Sequence, residues 1–93
     1  MNEAETEQLE NEQIRGSAAQ HAYEQFIKPF VEEKRLVLFN SFCALPLSDD
    51  VNLMEVKRMC YAIDTLEQDI MSIIQTGKMA NTALNENEEG VTH

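Results

Sequence analysis

The sequence predicts an all-α fold: an antiparallel helical hairpin with disordered acidic tails, completed into a helix bundle by oligomerisation. Three observations predict it. Val56, Met59, Ile63, Leu66, Ile70 and Ile73 follow one another at spacings of 3, 4, 3, 4 and 3. A strand alternates its faces every two residues and cannot use that pattern, whereas a helix gathers all six onto one seam. Two long apolar-periodic stretches of matched length flank a short link, Pro46-Leu47-Ser48-Asp49-Asp50. Each stretch also carries more apolar residues than one neighbouring helix can cover.

The first stretch reads as a helix from Ala18 to Leu45, about 42 Å long at 1.5 Å per residue. Gly16 interrupts the pattern before it, and Ser17 is a candidate N-cap. At 100° per residue, Tyr23, Phe26, Ile27, Phe30, Val37, Leu38, Phe42 and Leu45 share one broad face. Lys34 falls within it and can bury its stem while its ammonium reaches water. Pro29 removes a backbone donor and crowds the preceding turn. The helix therefore either kinks near 25–29 or breaks there, leaving a separate short helix before Pro29.

Pro46 ends this element, because the residue before a proline is pushed out of helical geometry. Ser48, Asp49 and Asp50 are each able to cap the next helix. That helix runs to about Thr76, with Gly77 as its C′ residue, Lys78 at its negative end, and one further turn over 79–84. A short turn between two matched helices makes an antiparallel hairpin. Within it, Phe30, Val37 and Leu38 face the seam formed by Val56, Met59, Ile63, Leu66, Ile70 and Ile73.

The net charge is −10 over 93 residues, and its distribution decides what it means. Residues 1–12 hold five Glu and no base, and Glu86, Glu88 and Glu89 lie in the last nine residues. Both ends are poor in apolar side chains, which predicts mobile tails. Three parts follow: an acidic mobile N-terminal tail over 1–15, a helical hairpin domain over 16–84, and an acidic C-terminal tail over 85–93. The middle is nearly balanced and has no basic stripe, which argues against direct nucleic-acid binding. It also argues against a rigid acidic mimic of DNA, whose charges would have to sit on ordered faces.

No apolar run approaches the roughly 20 residues of a membrane span, and the N-terminus lacks the basic and apolar stretches of a signal peptide. Cys43 and Cys60 sit among apolar residues without metal-ligand spacing. Buried, reduced thiols are the expected state, with a disulfide as the alternative, and a cytoplasmic location follows.

Nothing in the chain reads as an active site. His21 and His93 are expected to be solvated. Glu32-Glu33 and Asp49-Asp50 are adjacent pairs, which diverge on a helix or serve as caps. Glu67 borders the apolar seam, where a rim salt bridge is expected. No phosphate loop, nucleophile elbow or ligand cluster is present, so the expectation is a non-enzymatic protein with no cofactor and no metal.

Surface carries the functional reading. Leu36, Phe39 and Cys43 lie roughly opposite the Phe30/Val37 face, and Met54 and Tyr61 lie opposite Ile63. These five form the expected protein interface, because one straight helix cannot turn them toward the same partner as the seam. A small two-helix core is marginal by itself, so the expected partner is a second copy, as a dimer or higher oligomer.

Arg15-Gly16, Ala19, Ala22, Phe26 and Phe30, the Pro46–Asp50 turn, Leu66-Glu67 and Gly77-Lys78-Met79-Ala80 together resemble small, mostly uncharacterised helical-hairpin proteins of tailed bacteriophages. The resemblance covers residues 15–84. It implies a viral structural, packaging or assembly component, in the host cytoplasm or incorporated into a virion, with phage or host proteins as further partners. The alternative is a phage-encoded inhibitor or regulator of a host protein, of the anti-defence type, whose acidic tails engage a basic surface.

Overall fold

In the computed structural model the backbone is described through Thr92 and the side chains through Glu86. Helix α1 spans Glu3–Ala22, a π-helical turn spans Tyr23–Ile27, and α2 spans Lys28–Ala44. After the link, α3 spans Asp50–Thr92, 43 residues. The first three elements form one continuous arm that packs antiparallel against α3. The resulting hairpin is a rod of 68 × 21 × 17 Å.

The expected N-terminal tail is instead helical. Asn2 caps α1 by accepting the Glu5 N–H at 2.8 Å, and Glu3 and Glu5 place negative charge at the positive end of the helix. Ser17 therefore caps nothing and lies inside α1. At the other end α3 continues through Gly77 without a C-cap and through the segment expected as the C-terminal tail. His93 and the side chains of Glu88 and Glu89 lie outside the described residues.

The two glycines are packing residues. A Cβ built on Gly16 would lie 2.6 Å from the Gly77 Cα, and one built on Gly77 would lie 2.7 Å from the Gly16 Cα. Each glycine costs about 1 kcal/mol of helix propensity relative to Ala. In return the two backbones meet where no side chain fits. Ala80 is buried beside this crossing, and α1 lies closer to α3 than α2 does.

Pro29 produces neither a break nor a new helix. Its missing donor is accommodated by widening the turn before it, so that the Lys28 N–H reaches back to the Tyr23 carbonyl. A π turn holds one more residue than an α turn, and the helix beyond it emerges with its phase advanced by one position. Phase accounts for the main correction to the seam. Val31, 2% exposed, and Leu38 face α3, whereas Phe30 and Val37 are about half exposed, at 54% and 50%.

On α3 the inward line also differs from the expected one. Val56, Ile63, Ile70 and Ile73 are half-buried, but Met59 and Leu66 are exposed, and the most buried large side chain of α3 is Ile74. The contact line runs Leu53, Val56, Ile63, Glu67, Ile70, Ile74, Gly77. It must pass through Gly77, because only there can the helices approach so closely, and that choice turns the 59/66 positions to one flank.

The turn follows its expected chemistry. Leu45 leaves the helix with extended φ/ψ before Pro46. The Asp49 N–H then reaches the Pro46 carbonyl at 3.0 Å. Of the three candidate caps Asp49 serves: its carboxylate accepts from the Asn52 N–H at 3.3 Å and from the Asn52 amide at 2.8 Å.

Candidate interaction surface

The two halves of the rod differ in chemistry. Around Gly16 and Gly77 small residues let the helices close on each other, and the contacts beside them are polar, as where the Gln13 amide donates to Asn81. From Lys28 to the turn, bulky apolar residues hold α2 and α3 further apart. Two open grooves result, one along each flank of the turn half.

The larger groove, about 770 Å³, is walled by Phe30 and Val37 on α2 and by Val56, Met59 and Ile63 on α3. Lys34 stands at its edge with its ammonium 5.7 Å from the centre of the Phe30 ring, a cation–π contact that keeps the charge in water. The second groove lies between Phe39 and Phe42 on α2 and Leu53, Met54 and Cys60 on α3.

All five residues of the expected interface are exposed: Leu36 at 61%, Phe39 at 63%, Tyr61 at 74%, Met54 at about half, and Cys43. Phe39 and Met54 border the second groove. Phe30, Val37, Met59 and Leu66, assigned by periodicity to the seam, add to the outward apolar surface, as do Phe26 and Phe42. Apolar side chains thus cover nearly every side of α2.

The cysteines correct a further expectation. Cys43 and Cys60 are both exposed and both free thiols. Their apolar neighbours are themselves on the surface, so apolar context does not translate into burial here.

One polar cluster ties the arms together. The Arg35 guanidinium donates to Asp64 at 2.6 Å and to Glu67 at 3.0 Å, and the Tyr23 hydroxyl donates to Glu67 at 3.1 Å. Glu67 therefore occupies an inward position with two partners, close to the expected rim salt bridge. Partial burial, the hydrogen bond to Glu67 and the neighbouring carboxylate charges raise the Tyr23 hydroxyl above its ordinary value of 10.0. The hydrogen bonds to Asp64 and Glu67 likewise raise Arg35. The cluster joins the π turn, through Tyr23, and α2, through Arg35, to α3.

Among the described residues, no three His, Cys, Asp or Glu side chains converge as a metal site requires, and no helix is long and apolar enough to cross a membrane. No family model, curated protein or solved structure matches the chain.

The buried residues absent from the sequence reading are Val31, Ile74, Ala80 and the glycine pair. A signal for the last three exists in the sequence. Gly77 and Ala80 follow at i, i+3 behind Ile74, and Gly16 and Ala19 at i, i+3, which puts a pair of small residues on each arm.

Proposed function

We propose that this chain is a non-enzymatic helical interaction protein that works through the apolar surface of its turn half. The observation that carries the reading is the set of exposed Phe, Leu, Val and Met side chains over 30–66, several of which line two grooves. Contiguous apolar surface on this scale is characteristic of a face that another helix covers. In line with the phage resemblance, the role proposed is that of a small structural, packaging or assembly component, in the host cytoplasm or carried into a virion. The chain is proposed to act without cofactor, metal or direct nucleic-acid contact.

A second reading is favoured by one specific observation. Glu3, Glu5, Glu7 and Glu10 are exposed on an ordered helix, so the acidic surface is firmer than a tail would provide. An inhibitor that engages a basic surface of a host protein is consistent with that arrangement.

Co-purification from infected or expressing cells tests both. The assembly reading expects the chain in a large particle or defined oligomer, and Phe39→Asp or Val37→Asp to release it. The inhibitor reading expects a one-to-one complex that dissolves as salt rises and survives those substitutions. A chain that associates with nothing in either form would remove the interaction reading altogether.

A further inference from the structure

We propose that the larger turn-half groove is occupied by a second copy of this chain, bound antiparallel and offset, so that only the turn halves overlap and the acidic halves point away from each other. The proposal rests on the reading of the turn half as an association face and specifies its occupant and geometry.

The area argument concerns how much surface the single chain leaves wet. Its accessible surface is 7218 Å². A compact monomer of 10.6 kDa exposes about 5,500 Å², leaving an excess of roughly 1,700 Å². A stable interface buries about 800 Å² per partner, and obligate homodimers about 1,000–2,500 Å². Part of that excess lies on the turn half, where Phe30, Val37, Met59 and Leu66 are each about half exposed, and a second copy covers that part. The radius of gyration, 19.8 Å, against about 12 Å for a compact chain of this length, shows that the elongated shape is the source of the excess.

Charge selects the arrangement. Residues 28–66 hold five bases and six acids, a net of −1. Residues 1–27 and 67–86 hold two bases and nine acids, a net of −7. A parallel pair would lay one acidic half on the other. An antiparallel pair overlapping along its whole length would lay the polar exterior of α1 on the apolar groove and leave both uncompensated. Overlap of the turn halves alone matches apolar with apolar and mixed charge with mixed charge. A two-fold axis makes that contact isologous, each copy giving and receiving the same face. The larger groove fits this better than its neighbour: Phe30, Val37 and Met59 stand exposed on its walls and its two charged lining residues, Lys34 and Glu55, are opposite in sign, whereas the second groove is lined by two bases, Arg35 and Lys57, with Asp64 already engaged by Arg35.

Light scattering and small-angle X-ray scattering on the full chain test the proposal. The expected mass at micromolar concentration is that of two chains. The expected maximum dimension grows from the 68 Å of one rod to about 110 Å, given an overlap of some 16 helical residues at 1.5 Å each. Raising salt should leave the dimer intact, because the contact is apolar and the acidic halves point away from each other, well beyond the screening length. Val37→Asp and Met59→Asp should each shift the mass toward one chain while the helical circular dichroism persists. A monomer at these concentrations overturns the second-copy assignment, and a dimer still near 68 Å overturns the offset antiparallel geometry. A dimer abolished by Leu36→Asp but not by Val37→Asp overturns the choice of face. If the purified chain is monomeric yet the cellular complex forms, only this inference fails and the interaction reading stands.

Discussion

Gly16 and Gly77 touch backbone to backbone: a single carbon added to either would stand under 3 Å from the Cα of the other. Alanine is the better helix former by about 1 kcal/mol, so propensity alone predicts that Gly16→Ala and Gly77→Ala stabilise. Overpacking at a rigid crossing costs about 1–3 kcal/mol, and here backbone meets backbone with no flexible side chain to yield. Both substitutions should therefore lower stability in urea unfolding. Ser17→Ala, on the exposed side of α1, should not. Stabilisation by Gly16→Ala would mean that the arms are not in contact at this point.

The position of the contact line can be measured by comparing residues that periodicity alone cannot separate. Leu38→Ala and Ile74→Ala remove side chains that are 7% and 4% exposed, at a cost of about 2–5 kcal/mol each. Leu66→Ala removes one that is 52% exposed and should cost about 1 kcal/mol or less. The measurement belongs at dilution, where association does not cover Leu66. Equal losses at Leu66 and Ile74 would return the seam to the 59/66/73 line.

Stability should fall at alkaline pH through Tyr23. Its folded-state pKa is raised above the ordinary 10.0, so the native chain holds this proton more tightly than the unfolded chain does. That contribution is complete below about pH 10 and is lost as pH climbs through the folded value. Glu67→Gln removes the neighbouring charge and should move the phenol titration down, which ultraviolet difference absorbance reads directly. An unmoved titration would mean that Tyr23 and Glu67 do not meet in solution.

Removing residues 1–15 should be destabilising, although a charged and weakly apolar segment is an inviting place to truncate. Those residues make most of α1, and the Gln13–Asn81 bond and the approach to Gly16 go with them. The thermal midpoint should fall by several degrees, since about 1 kcal/mol corresponds to roughly 4–8 °C in a domain of this size. No change on truncation would restore the description of this segment as a tail.

The helical class, the turn and the outward apolar residues were legible in the sequence because each rests on local information. Period decides helix over strand along 56–73, Pro46 and Asp49 stop and restart the chain, and Leu36 and Phe39 stand apart from any single face. Phase was not legible. At 100° per residue Phe30 and Val37 belong to the inner face with Leu38, and only the extra residue held in the π turn moves those two outward, brings in Val31 and leaves Leu38 inside. The glycines misled for a related reason: helix-terminating chemistry and close helix packing both select glycine, and the difference appears only when the second arm is in place.

The glycine crossing also sets an order of events. The Arg35–Asp64 contact near the turn closes a loop of 29 residues, whereas Gln13–Asn81 beside the crossing closes one of 68. Loop-closure entropy penalises the longer span by about 0.7 kcal/mol more, which predicts that the arms zip from the turn outward and that the glycines meet late. Gly16→Ala should accordingly speed unfolding and leave the folding rate nearly unchanged in stopped-flow measurements. On that order the rod is expected to nucleate at its loosest, stickiest half and to lock at its tightest. A nascent chain presents its adhesive face to other molecules before its own latch has shut.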